Sequence, residues 1–172
     1  MAVVAGRSTR SLAISRNVVQ VAIRAIEPSD IEPVANLLSQ LASAYIINEF
    51  ERSAQERFLA KNNANAIREF IANGYRYHVA ESSGELVGFV GVRGNAHLYH
   101  LFVAARLQGH GIGRMLWEFA KRECEVAGHR GAFTVNSSNN AVPIYERWGF
   151  RRAGPPENSN GIVYNPMKFR GY

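Results

Sequence analysis

Residues 18–26 (VVQVAIRAI) alternate in polarity and are rich in β-branched side chains, which predicts an opening strand. Apolar positions then change period. Ile31, Val34, Leu37, Leu38, Leu41 and Tyr45 recur at helical spacing behind a capping box of Ser29 with Glu32. A second box, Ser53 with Glu56, opens another helix that buries Phe58, Leu59, Ile67, Phe70 and Ile71 and stops at Asn73 and Gly74. Residues 75–81 and 85–93 read as strands joined by a tight turn at Ser82, Ser83 and Gly84, and Gly94-Asn95 turns the chain into a strand over 97–103. Ile112, Met115, Leu116, Phe119, Ala120 and Val126 make the next helix amphipathic, with Gly128 closing it. A strand over 132–136, a short helix capped by Asn139 or Asn140, and a last strand over 163–169 complete the pattern. The order predicts an α/β fold: a mixed sheet with helices on its faces and one parallel crossover.

Length and charge narrow this picture. A chain of 172 residues suits one domain. Residues 21–172 form that domain, and residues 1–20 form an N-terminal extension whose simplest reading is a flexible segment. The extension has no acid before Glu27, so it weakly resembles an organelle transit peptide. No apolar run reaches the roughly 20 residues that cross a bilayer, so a membrane is not an expected partner. The net charge of +6 favours an anionic partner, but the positives are scattered along the chain, which disfavours nucleic acid. The single cysteine, Cys124, excludes an internal disulfide and fits a reducing, cytoplasmic setting.

The candidate chemistry begins at QGHGIGRMLW, residues 108–117, where glycines 109, 111 and 113 join a strand to a helix. Such a turn is an anion cradle, because the first amides of a helix lack an intrahelical acceptor and glycine lets a phosphate approach the backbone. Arg106 and Arg114 flank it. The dinucleotide fingerprint fails, since Arg114 stands where the third glycine belongs, and no Gly-Lys-Ser/Thr triplet supports a Walker loop.

The spacing that fits is Gln-x-x-Gly-x-Gly, and here the chain resembles the GNAT superfamily of acyl-CoA-dependent N-acyltransferases. A second segment, AVPIYERWGF at 141–150, resembles that family's A-x-x-x-Y-E-x-x-G-F signature. The resemblance implies the GNAT fold over residues 20–170, acetyl-CoA as co-substrate, no metal, and a primary amine of a small molecule or peptide as acceptor. A homodimer is compatible with it. It implies that the backbone of Leu101, Phe102 and Val103, on a strand splayed at a bulge, pairs with the pantetheine arm. Gln108, Gly109, His110, Gly111, Ile112, Gly113 and Arg114 then cradle the diphosphate. Ser138 stands where many relatives place an asparagine that touches the pantetheine, with Asn139 as the alternative contact.

Tyr145 matches the family's general acid, which protonates the departing thiolate. The glutamate base of many relatives is absent. His97 and His100 are the candidates on the strand, with strand parity placing them on opposite faces, and a structural histidine with water relaying the proton is the other reading. Tyr45, Glu49, Phe50 and Phe58 are candidates for the acceptor cleft. The rival reading is a non-catalytic acyl-CoA-binding or regulatory module.

Overall fold

The computed structural model describes residues 19–170, so the N-terminal extension, apart from its last two residues, lies outside the described residues. Eight strands form a sheet in the order β1-β2-β3-β4-β5-β8-β6, with β7 added on β8. The strands are β1 (Ala22–Ala25), β2 (Arg76–Ser82), β3 (Glu85–Arg93), β4 (His97–Val103), β5 (Phe133–Ser137), β6 (Arg151–Arg152), β7 (Glu157–Ser159) and β8 (Ile162–Phe169). All pairs are antiparallel except β4 with β5, as the crossover through the glycine helix requires. Ser83 and Gly84 both take positive φ, as do Gly94 and Asn95, so both hairpins close with the expected tight turns.

The helices cover the two faces separately. On one face α4 (Ile112–Val126) buries Leu116, Trp117 and Ala120 against Val90, Leu101, Phe133 and Met167, with α5 (Val142–Arg147) at its edge. On the other, α1 (Ile31–Tyr45), α2 (Arg52–Ala60) and α3 (Ala64–Ala72) bury Val34, Leu38, Phe58 and Ile67 against Val79, Phe89 and Phe102. Each such side chain contributes about 1.5–3 kcal/mol by leaving water.

Three expectations change. The helix expected to run from Ser53 to Asn73 is two, because Asn62 and Asn63 break it: the Asn63 side chain accepts from the Ala66 amide and caps α3. The box at the start of α1 is formed two residues earlier than expected, by Glu27 and Asp30 around a single 3₁₀ turn. Neither Asn139 nor Asn140 caps α5: Ala141 holds its N-cap position, behind a 3₁₀ turn over Asn139–Ala141 that Ser138 opens without a side-chain bond, while Asn139 Oδ1 accepts from Asn165 and Asn140 donates to the Tyr45 carbonyl.

Candidate active site

β4 carries one extra residue. Its register against β3 pairs His100 with Gly91 but Leu98 with Val92, leaving Tyr99 as a bulge. A Cβ on Gly91 would lie 2.6 Å from the Tyr77 ring, so only glycine fits there. The bulge corrects the parity argument. Leu98, Leu101 and Val103 all pack in the core beneath α4, so His97 and His100 share the opposite face.

The bulge also marks where the sheet divides. β5 pairs with β4 only at His97 with Thr134 and Leu98 with Val135, and beyond these positions the ladder stops. Because the Ala104 amide bonds the Val87 carbonyl, strand alternation turns the backbone of Phe102 towards β3 and that of Leu101 and Val103 into the gap. The Val103 carbonyl already accepts from Gln108 Nε2 at 3.0 Å, which ties the glycine loop back to the strand.

The loop ends on α4, whose N-cap Gly111 sits at φ 83°, with no side chain capping the helix. Gly109 has φ 80°, and a Cβ at either glycine would meet nothing within 4 Å. Their requirement is therefore conformational, and the space above them is open. The amides of Ile112, Gly113 and Arg114 have no acceptor one turn earlier. A cavity of about 220 Å³ lies here, lined by the glycine loop, Val103 and Arg114 and by Ile144, Arg147 and Trp148 of the second signature. Arg147 and Trp148 fill the two unspecified positions between the Tyr-Glu and Gly-Phe pairs of that signature, so the motif itself does not mark them. Arg106 is engaged by Glu85. His110 donates from Nδ1 to the carbonyls of Leu107 and Gln108, at 3.2 and 3.1 Å, and so braces the loop.

Tyr145 is fully buried, with its ring against Trp148 and Phe150 and its hydroxyl without a hydrogen-bond partner among the described residues. Burial holds its pKa well above the ordinary phenol value, so it keeps its proton. Ser138 Oγ is likewise buried and unpartnered. An unsatisfied buried hydroxyl costs about 1–3 kcal/mol, so each of the two is a polar group that the fold buries at a cost. Asn165 of β8, which no motif marks, holds the end of β5: it donates to the Ser137 carbonyl and to Asn139, and accepts from Arg152. A lone asparagine in an apolar strand, 2 % exposed, was the available signal.

The histidines differ in their engagement. His100 is fully buried; Tyr77 donates to its Nδ1 and its Nε2 donates to Asn62 Oδ1, both at 2.9 Å, while Asn62 Nδ2 donates to the Phe58 carbonyl. Burial drives its pKa far down, so it is neutral with both nitrogens used. His97 lies on the paired side of the bulge with Nδ1 2.8 Å from Thr134 Oγ1. Burial, and then Arg93, push its pKa to about 4. Of the expected cleft residues, Phe50 and Phe58 are core, with ring centroids 5.9 Å apart. Tyr45 is half-buried, and the side chain of Glu49 lies outside the described residues.

A sheet opened beside a bulge, with the open strand leading into an amide cradle, is the architecture of the N-acetyltransferase class. The profile of the acetyltransferase (GNAT) domain matches residues 41–170, and the chain belongs to that family. It is 35% identical over 90 residues to an acetyltransferase of Agrobacterium fabrum, a match covering 51% of this chain and 65% of that relative. A GCN5-related N-acetyltransferase from Rhodopseudomonas palustris has the same fold, with a TM-score of 0.73 at 19% identity over 94% of this chain and 99% of the other. So does the PaiA N-acetyltransferase of Thermoplasma acidophilum, solved with coenzyme A, with a TM-score of 0.72 at 16% identity over 88% and 99%.

Proposed function

We propose that this protein transfers the acetyl group of acetyl-CoA to a primary amine of a small molecule or peptide. The observation that carries the reading is the continuous path from the open backbone of Leu101 and the Val103 amide to the uncapped start of α4. Strand groups that have lost their β5 partner suit an amide-bearing arm, and several free helix amides suit a diphosphate. Gln108 through Arg114 would hold the diphosphate, with Arg147 adding positive charge. Ser138 and Asn139 would close over the arm.

Acetyl-CoA supplies a thioester whose carbonyl carbon bonds the amine nitrogen as the carbon–sulfur bond breaks. Tyr145 is the acid in this reading: its phenol, kept protonated by burial, gives its proton to the departing sulfur and recovers one from solvent. His97 stays unprotonated at neutral pH, yet its low pKa makes it a weak base. We therefore assign to water in the gap the relay of the amine's proton out to bulk solvent, and we assign His100 to positioning of β4 rather than to proton transfer.

Calorimetry with coenzyme A tests the cradle. Gly111→Asp should abolish binding, since a carboxylate would repel the diphosphate and fill its space; an unchanged affinity would remove the cradle from the reading. A coenzyme A-binding module without turnover is the second reading, favoured by the engagement of both histidines. Acetyl-CoA consumption against amino acids, polyamines, aminoglycosides and peptides separates the two.

A further inference from the structure

One row of residues crosses the sheet from β3 to β6. The register places Arg93 opposite His97, His97 opposite Thr134, Thr134 opposite Lys168, and Lys168 opposite Arg151. The alternate positions Phe133, Val135 and Met167 pack beneath α4, so this row lies on the other face. With strands about 4.8 Å apart, four steps make a track roughly 19 Å long. Arg93, Lys168 and Arg151 are exposed. Two open cavities meet at the β6 end, both lined by Lys168 and Arg170. One, of about 600 Å³, adds Arg130 and His129, and the other, of about 560 Å³, adds Arg151 and Arg152.

The positive charge here is largely uncompensated. Among the described residues no ion pair engages Arg93, Arg130, Arg151, Lys168 or Arg170; the nearby carboxylates are Glu125 in the first cavity and Glu146, 3.8 Å from Arg152. Two guanidiniums are held by backbone instead. Arg130 donates to the carbonyls of Glu125 and His129, and Arg151 to those of Glu146 and Phe150. A guanidinium oriented by neutral acceptors keeps its charge and its remaining donors for a planar oxyanion.

We propose that this face docks an extended acidic peptide segment of a partner protein. A carboxylate-bearing strand matches the forked donors, and the track is as long as about six extended residues. A single-stranded nucleic acid needs exposed rings on which bases stack. Here Phe133 is buried, Phe169 is half-buried with Lys121 over its ring, and Tyr99, beside His97, is half-buried with Arg93 over its ring.

Fluorescence anisotropy tests the surface with three probes: a labelled ten-residue polyglutamate, a ten-nucleotide single-stranded RNA, and phosphatidylserine vesicles. The peptide should bind the wild-type protein most tightly, more weakly at high salt, and at least tenfold more weakly to the double variant Lys168→Glu, Arg170→Glu. RNA or vesicles binding better than the peptide, or a peptide affinity unmoved by the double variant, overturns the proposal. Coenzyme A affinity, measured on the same samples, should stay unchanged, which separates failure of this surface from failure of the cradle.

Discussion

At the scale of single residues, Tyr145 and His100 show how chemistry and burial combine. Both are fully buried and both stand in stretches that the sequence marks as chemical. His100 spends both nitrogens on Tyr77 and Asn62, whereas the Tyr145 hydroxyl has no partner. Tyr145→Phe removes an unpartnered hydroxyl, so stability should hold or rise by up to about 1 kcal/mol. Turnover should fall by about 10² or more while coenzyme A affinity is kept, as loss of a general acid implies. Steady-state rates beside a calorimetric titration check this, and wild-type turnover in the variant would dismiss Tyr145 as the acid. The motif spacing made Tyr145 legible in the sequence. The role of His100 was not, because Asn62 and Tyr77 lie 38 and 23 positions away along the chain.

Among the elements, β4 matters most. Its seven residues read as a plain strand from pattern alone, yet the bulge at Tyr99 rotates everything before it and frees everything after it from β5. A signal was present in Gly91, a glycine inside a β-branched run, which marks a bulge or a close approach. Gly91→Ala would drive a methyl into the Tyr77 ring and shift the ring that holds His100. The expected cost is about 1–3 kcal/mol as overpacking, with weaker coenzyme A binding because the bulge sets the gap. Urea unfolding and calorimetry read the two effects separately, and full stability in the variant would show that the Tyr77 ring is not confined. The broken helix at Asn62 and Asn63 teaches a related lesson. The apolar period continued through both, but two adjacent asparagines compete for backbone hydrogen bonds, and Asn63 became a cap.

For the whole molecule, burial sets the pH response. His78, His97 and His100 all have pKa values pushed below the ordinary histidine range, in each case first by burial. The unfolded chain therefore binds protons near pH 6.5 that the folded protein refuses, and stability present above that pH is lost as pH falls towards about 4, the His97 value. Asp30 acts in the same direction, since its hydrogen bonds to Arg24 hold its pKa low and protonation forfeits them. The urea midpoint should be clearly lower at pH 5 than at pH 7.5; equal midpoints would mean that these side chains titrate alike in both states.

Local pattern was enough for the hairpins, for the span of α4 and for the positive-φ glycine turn before it, but not for the whole α4 stripe: Met115 and Val126 are exposed, and Trp117 and Cys124 are buried instead. A positive-φ glycine before a helix, or a 3.6-residue apolar period, depends on neighbours close in sequence. The sequence also carried the family, through two motifs about thirty residues apart. It did not carry the open gap between β4 and β5, the locked His100, or the alignment of Arg93, Lys168 and Arg151 along one row, with Arg130 and Arg170 in the cavities at its end. Those depend on strand register, and register is set by which side chains fill the core between α4 and the sheet. Read along the chain the positive charges are dispersed; the fold brings them within a few strand spacings of one another.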